Sequence, residues 1–230
     1  SQPRESILLP LLLMAAAPLA VVGTLFVARS VWLTFLLYHL GICLVAPALA
    51  GRPGRAGLRA HLRDIGLRPR GRALGLALGV VLALAIAGAF ALWGRAFLAA
   101  GAPPVVLAGW GVGPAPLPAL FAFMLLGNGV AEALFWRGWL HERLRARRPR
   151  GAVIAATAAC YASYHVFTIA SLLRDPAVVL LFSAAVLLAG GFWGWLRERT
   201  DSVWPALLSH AGATAGYMFV LWRWVLRGGA

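Results

Sequence analysis

The chain has 230 residues, 61% of them hydrophobic and only 12% charged, about half the charged share of an ordinary soluble domain. A soluble fold of this length cannot hide so much apolar surface, so the solvent of its outer face is a lipid bilayer. The net charge of +14 does not signal nucleic acid: every basic residue is an arginine, and most lie in short segments between apolar runs, where they set topology and suit anionic lipid.

Seven apolar runs approach the length needed to span, at 7–28, 31–50, 73–93, 119–140, 152–170, 177–196 and 203–222. Each is expected to be helical, because lipid offers backbone groups no partners. The first run is long and six more follow it, so it reads as a span and not as a cleaved signal peptide. Between the second and third runs, Leu58, Leu62 and Ile65 recur at helical spacing among arginines; this is an interfacial amphipathic helix over 55–65 or a solvated loop. The stretch 94–115 is rich in Gly and Pro and reads as a loop, a re-entrant segment or an eighth crossing. Gly190 and Gly194 form a small-xxx-small pair suited to close helix packing. Cys43 and Cys160 lie inside apolar runs and read as small buried hydrophobes. The expected fold is all-α: one integral domain over 1–230, a polytopic transmembrane helical bundle of about seven spans.

The arginines orient the bundle. If seven spans alternate, fifteen arginines fall on one side: Arg4, seven in the 51–72 loop, five at 143–150, and Arg197 and Arg199. Five fall on the other: Arg29, Arg95, Arg174, Arg223 and Arg227. The bias puts the N-terminus in the cytoplasm.

An ionisable group in the hydrocarbon core costs about 2.5 kcal/mol or more and calls for a reason. Glu132 is the one carboxylate well inside a run, and Arg137, His39, His165 and His210 join it there. A carboxylate removed from water is a stronger base and can activate a water molecule. A histidine can donate to a developing oxyanion, and the same groups are normal zinc ligands. Glu132 lies roughly 12 Å deep from the arginine-rich side, His210 roughly 10 Å and His165 roughly 20 Å, at the rise of an α-helix. His39 has no motif around it and reads as a packing residue. A spacing of five places Glu132 and Arg137 on different faces of an α-helix.

These residues sit in three patterns. AEALFWRG holds Glu132, Arg137 and Gly138; YASYH holds Tyr161 and His165; HAGAT holds His210 and Thr214. In this order they resemble the signatures of the CAAX-protease/bacteriocin-processing (CPBP) family of intramembrane proteases, which includes the type II CAAX prenyl proteases and the bacterial Abi group. Ala133 stands where the family has a second glutamate, and Thr214 where it has Asn or Asp. WLRERTDSVWPALLSH resembles the family's run from one helix through a charged turn into the histidine helix, with Asp201 or Ser202 able to cap it and Pro205 in its first turn. IGLRPRG, before the third run, is also family-like, so the protease-like core extends over about 64–217.

The resemblance implies an intramembrane endopeptidase acting on the tails of membrane-associated protein or peptide substrates. Glu132 would activate water with help from His165, and His210 and Thr214 would donate to the oxyanion. Arg137 and Tyr161 would support the site. No cofactor is expected; a zinc form would use Glu132, His165 and His210 but would leave no separate base. The Arg-only, Ala/Gly-rich composition is that of a high-GC bacterium, so the expected place is a bacterial inner membrane, where prenylated tails are not expected. The partners are substrate and lipid, with no nucleic acid. The rival readings are a catalytically degenerate membrane scaffold or immunity protein and a small transporter; no inverted repeat supports the last.

Overall fold

The computed structural model describes residues 7–50, 57–98, 103–113 and 115–226, and all regular structure among them is helical. The spanning helices in chain order are α1 (Leu8–Val27) and α2 (Val31–Ala50), then, after the short α3 (Gly57–Asp64), α4 (Arg72–Leu98). The seven-residue α5 (Pro103–Gly109) precedes α6 (Leu117–Arg145), α7 (Arg150–Leu173) and α8 (Pro176–Thr200). Last comes α9 (Trp204–Val220), continued in wider winding by Leu221–Leu226. The protein is a polytopic helical bundle.

Six of these helices, α1, α2, α4, α6, α7 and α8, are long and apolar enough to cross a membrane. The last of the seven expected spans is α9, with 17 residues before its winding changes. The 94–115 stretch supplies the end of α4 and then α5, about 10 Å of helix and too short for an eighth crossing. Residues 99–102 and 114 of that stretch, and Arg4, Arg52, Arg55 and Arg227 of the topology reading, lie outside the described residues, as do the side chains of Leu58 and Arg59. In α3, Leu62 packs on the core and Ile65, just beyond the helix, is buried, so this end of the segment faces protein.

Polar side chains close the helix ends as their chemistry dictates. Ser30 caps α2 by accepting from the Leu33 N–H at 3.2 Å, and Asp175 caps α8 by accepting from Ala177 and Val178 at 2.9 and 3.1 Å. Pro176 follows in the first turn, where its missing N–H costs nothing. Just before α9, whose N-cap is Val203, the Ser202 Oγ accepts from the Trp204 N–H at 3.2 Å, while Asp201 turns to arginines.

Two seams of small residues set the packing. Along α4 and α9, a side chain at Gly75 would meet Pro205 Cα at 2.7 Å and one at Gly79 would meet the Leu208 carbonyl oxygen at 2.7 Å. One at Gly212 would fall inside the backbone of Gly79 itself, and one at Gly216 would press on Ile86 and Ala83. Only glycine lets the backbones come this close, the usual device for joining helices in lipid. Along α7 and α8, Gly190 sits on Ala158 and Gly194 on Ile154, as the small-xxx-small spacing predicts.

At one end of the bundle, the charged residues form a network. Arg197 is wholly buried; it pairs with Glu142, reaches Asp201 at 3.4 Å and donates to the Arg137 carbonyl at 3.1 Å. Asp201 also pairs with Arg68 and, at 3.7 Å, with Arg70. Glu198 takes His141 at 2.7 Å and Arg150 at 3.2 Å. The network ties the 66–72 turn, the end of α6, the start of α7 and the end of α8 into one arginine-rich cap.

Candidate active site

Helix α6 is not uniformly wound. Two π-type segments, Met124–Asn128 and Ala133–Trp139, flank one α-turn, Gly129–Glu132. Wider winding of this kind recurs at functional sites, because it turns side chains away from the faces that a regular helix would give them. Helix α2 carries another such segment, Phe35–Val45. Tyr38 and His39 lie in it, and both are buried.

Glu132 is only 3% exposed. Its Oε1 accepts hydrogen bonds from Tyr164 at 2.8 Å and Tyr38 at 3.0 Å, and its Oε2 accepts from Tyr161 at 3.3 Å. The Tyr38 and Tyr164 hydroxyls also lie 2.8 Å apart. A phenol has one proton to give, so Tyr38 serves either Tyr164 or the carboxylate at a given moment. Trp136 donates to the Tyr38 oxygen at 2.9 Å and frees that choice. Two histidines bracket the carboxylate: His210 Nε2 is 3.5 Å from Oε2, and His39 Nε2 is 3.8 Å from Oε1.

His210 arrives from α9. Gly129 of α6 allows this approach, since a side chain there would meet the Ala211 nitrogen at 3.4 Å and the His210 ring at 3.6 Å. Trp193 of α8 stacks on the His210 ring, centroids 4.3 Å apart at 23°. Thr214 is buried one turn further along α9.

Arg137 is buried as well, but its guanidinium lies over the rings of Tyr161 at 4.4 Å and Trp193 at 5.1 Å. It also reaches the Gly190 carbonyl at 3.4 Å. It therefore holds α6 against α7 and α8 through two of the rings that line the site, while no ion pair joins it to Glu132 among the described residues.

His165 is half-buried. Its Nδ1 meets the Tyr161 carbonyl at 2.8 Å, and its ring packs on Tyr161 and Tyr164, centroids 4.6 and 4.3 Å away. Among the described residues, no hydrogen bond joins it to Glu132. The structure thus brings Glu132, Tyr161 and His210 into direct contact, stations Arg137 and His165 behind the tyrosines, and leaves Thr214 on the next turn. Among the described residues, no group of three or more His, Cys, Asp or Glu side chains is arranged to hold a metal ion. Glu132 accepts from phenols, and His165 Nδ1 meets a carbonyl, which leaves its Nε2 as the ring's other polar atom.

The spacing of motifs missed Tyr38, Tyr164, Asn128 and the nearness of His39. Tyr164 stands next to His165 in YASYH, a signal that was within reach. Tyr38 and His39 come from a span with no motif, and only their polarity at mid-span marked them.

A buried carboxylate thus sits among phenols and histidines inside a bundle whose long helices are apolar enough to cross a membrane. Residues 114–216 match the family model described as Type II CAAX prenyl endopeptidase Rce1-like, and that segment contains all three motifs. No curated protein and no solved structure matches the chain.

Proposed function

We propose that the protein is an intramembrane endopeptidase that hydrolyses peptide bonds in the tails of membrane-associated proteins or peptides. The observation that carries this reading is Glu132: a carboxylate buried at mid-helix, held by three phenols and two histidines, with no arginine paired to it among the described residues. A structural carboxylate in lipid would be expected to take the nearest guanidinium.

In the proposed reaction, Glu132 removes a proton from water as its oxygen attacks the scissile carbonyl. His210 and Thr214 donate to the tetrahedral oxyanion. The proton held by Glu132 then passes to the leaving amine as the C–N bond breaks. His165 helps to place the water, and Arg137 and Tyr161 keep the frame. The arginine-rich cap lies on the cytoplasmic side of a bacterial inner membrane by the positive-inside rule, so cleavage falls near that leaflet.

The test compares the termini of membrane and secreted proteins in cells carrying the wild type or Glu132→Gln at equal expression. A defined set of tails that is trimmed only with the wild type supports the reading and names the substrates. Ala133 and Thr214, where the family carries Glu and Asn or Asp, favour a second reading, a degenerate scaffold. Unchanged termini, together with a wild-type phenotype that persists in the variant, would establish it.

A further inference from the structure

Next to the carboxylate lies a polar pair with no part in the proposed reaction. Asn128 is one turn before Glu132, joined to it by the single α-turn of α6, so the two side chains share a face. The Asn128 Oδ1 meets His39 Nε2 at 2.7 Å. His39 in turn is held between Phe35, Tyr38 and Phe123, ring centroids 5.5, 4.6 and 5.3 Å away. Burying a histidine and an amide in the hydrocarbon zone is costly unless they have a task.

The geometry assigns one. His39 engages the amide through its oxygen, which fixes the amide plane and leaves both N–H groups of Asn128 to point elsewhere. Those N–H groups have no acceptor among the described residues, yet the nitrogen is not among the sealed, unpartnered buried atoms. The nitrogen keeps accessible surface, on the helix face that carries Glu132. The other donors around Glu132, from Tyr38, Tyr161 and Tyr164, already serve the carboxylate. Resting on the endopeptidase reading above, we infer that the Asn128 amide is a donor to the carbonyl oxygen of the scissile peptide bond, and that His39 is the positioning residue that orients it. A neutral, pre-oriented amide N–H close to the base is the type of group that gains most as charge develops on that oxygen.

The inference separates from the reading it rests on. On a tail peptide whose cleavage depends on Glu132, Asn128→Ala should lower kcat by about 10²-fold with KM little changed, the signature of an interaction made in the transition state. Asn128→Asp, which keeps the shape and replaces the N–H donors by an acceptor, should do the same. His39→Ala should cost about 10-fold, and the double variant should be no worse than Asn128→Ala alone, as for groups that act as a unit. His39→Gln, which retains an N–H donor, should recover part of the loss. Rates are referred to folded protein, so a variant that merely unfolds does not count as a loss. If Asn128→Ala and Asn128→Asp both cleave within twofold of the wild type while Glu132→Gln is inactive, the inference falls and the endopeptidase reading stands. If Glu132→Gln cleaves as the wild type does, or no tail depends on it, both fall.

Discussion

The bundle holds acidic groups in two places, half-buried at the cap and fully buried at Glu132, and treats them in opposite ways. At the arginine-rich cap, Glu142, Glu198 and Asp201 each face guanidinium groups, and Arg197 is locked between carboxylates and a backbone carbonyl. At mid-membrane, Glu132 meets phenols and imidazoles, and the one arginine nearby is spent on aromatic rings. The first arrangement cancels charge permanently and ties loops together. The second keeps a carboxylate ordered by hydrogen bonds that can be rearranged, which is what a base requires. On the proposed reading, it is the kind of partner that separates a base from a structural carboxylate.

The sharpest way to break this comparison is to neutralise each carboxylate system in turn. Glu132→Gln should reduce tail cleavage by about 10²–10⁴-fold, the usual contribution of a general base, with thermal unfolding of the purified protein little changed. Arg197→Gln should do the reverse. It removes a wholly buried guanidinium, though Glu142 keeps Arg145 and Asp201 keeps Arg68 and Arg70, so stability to denaturant in detergent should fall by about 1–3 kcal/mol, while the folded fraction keeps its activity.

How much of this was legible in the sequence follows the same division. Apolar runs and arginine clusters foretold the helices and the grouping of the cap, because both depend on composition over many residues. Glu132 and His210 stood out by motif spacing and matching depth, and Tyr161 by its motif alone; the structure puts the three in contact. Tyr38 and Asn128 did not stand out, since their nearness to Glu132 depends on where α2 packs on α6. Arg137 stood out by its motif, but its seat over the Tyr161 and Trp193 rings did not, because the Ala133–Trp139 segment is wound more widely than an α-helix. No periodicity argument announces where a helix will widen.

Two smaller effects sharpen the picture. Gly212→Ala adds one carbon where the Gly79 backbone already lies, and it should destabilise the fold by about 1–3 kcal/mol, read as a lower melting temperature. Tyr164→Phe removes one of three phenolic donors to Glu132. The other two remain, so cleavage should drop by only about 10-fold, or about 1.4 kcal/mol, at the low end for a hydrogen bond to a charged group; steady-state rates on the tail peptide measure it.

The glycine contact between α4 and α9 also bears on traffic. With the two backbones touching at Gly79 and Gly212, that wall of the bundle has no gap through which a polypeptide could slip from the lipid to His210. If the protein cleaves tails as proposed, a tail diffusing sideways in the bilayer would meet a closed wall there and would enter by another flank of the molecule.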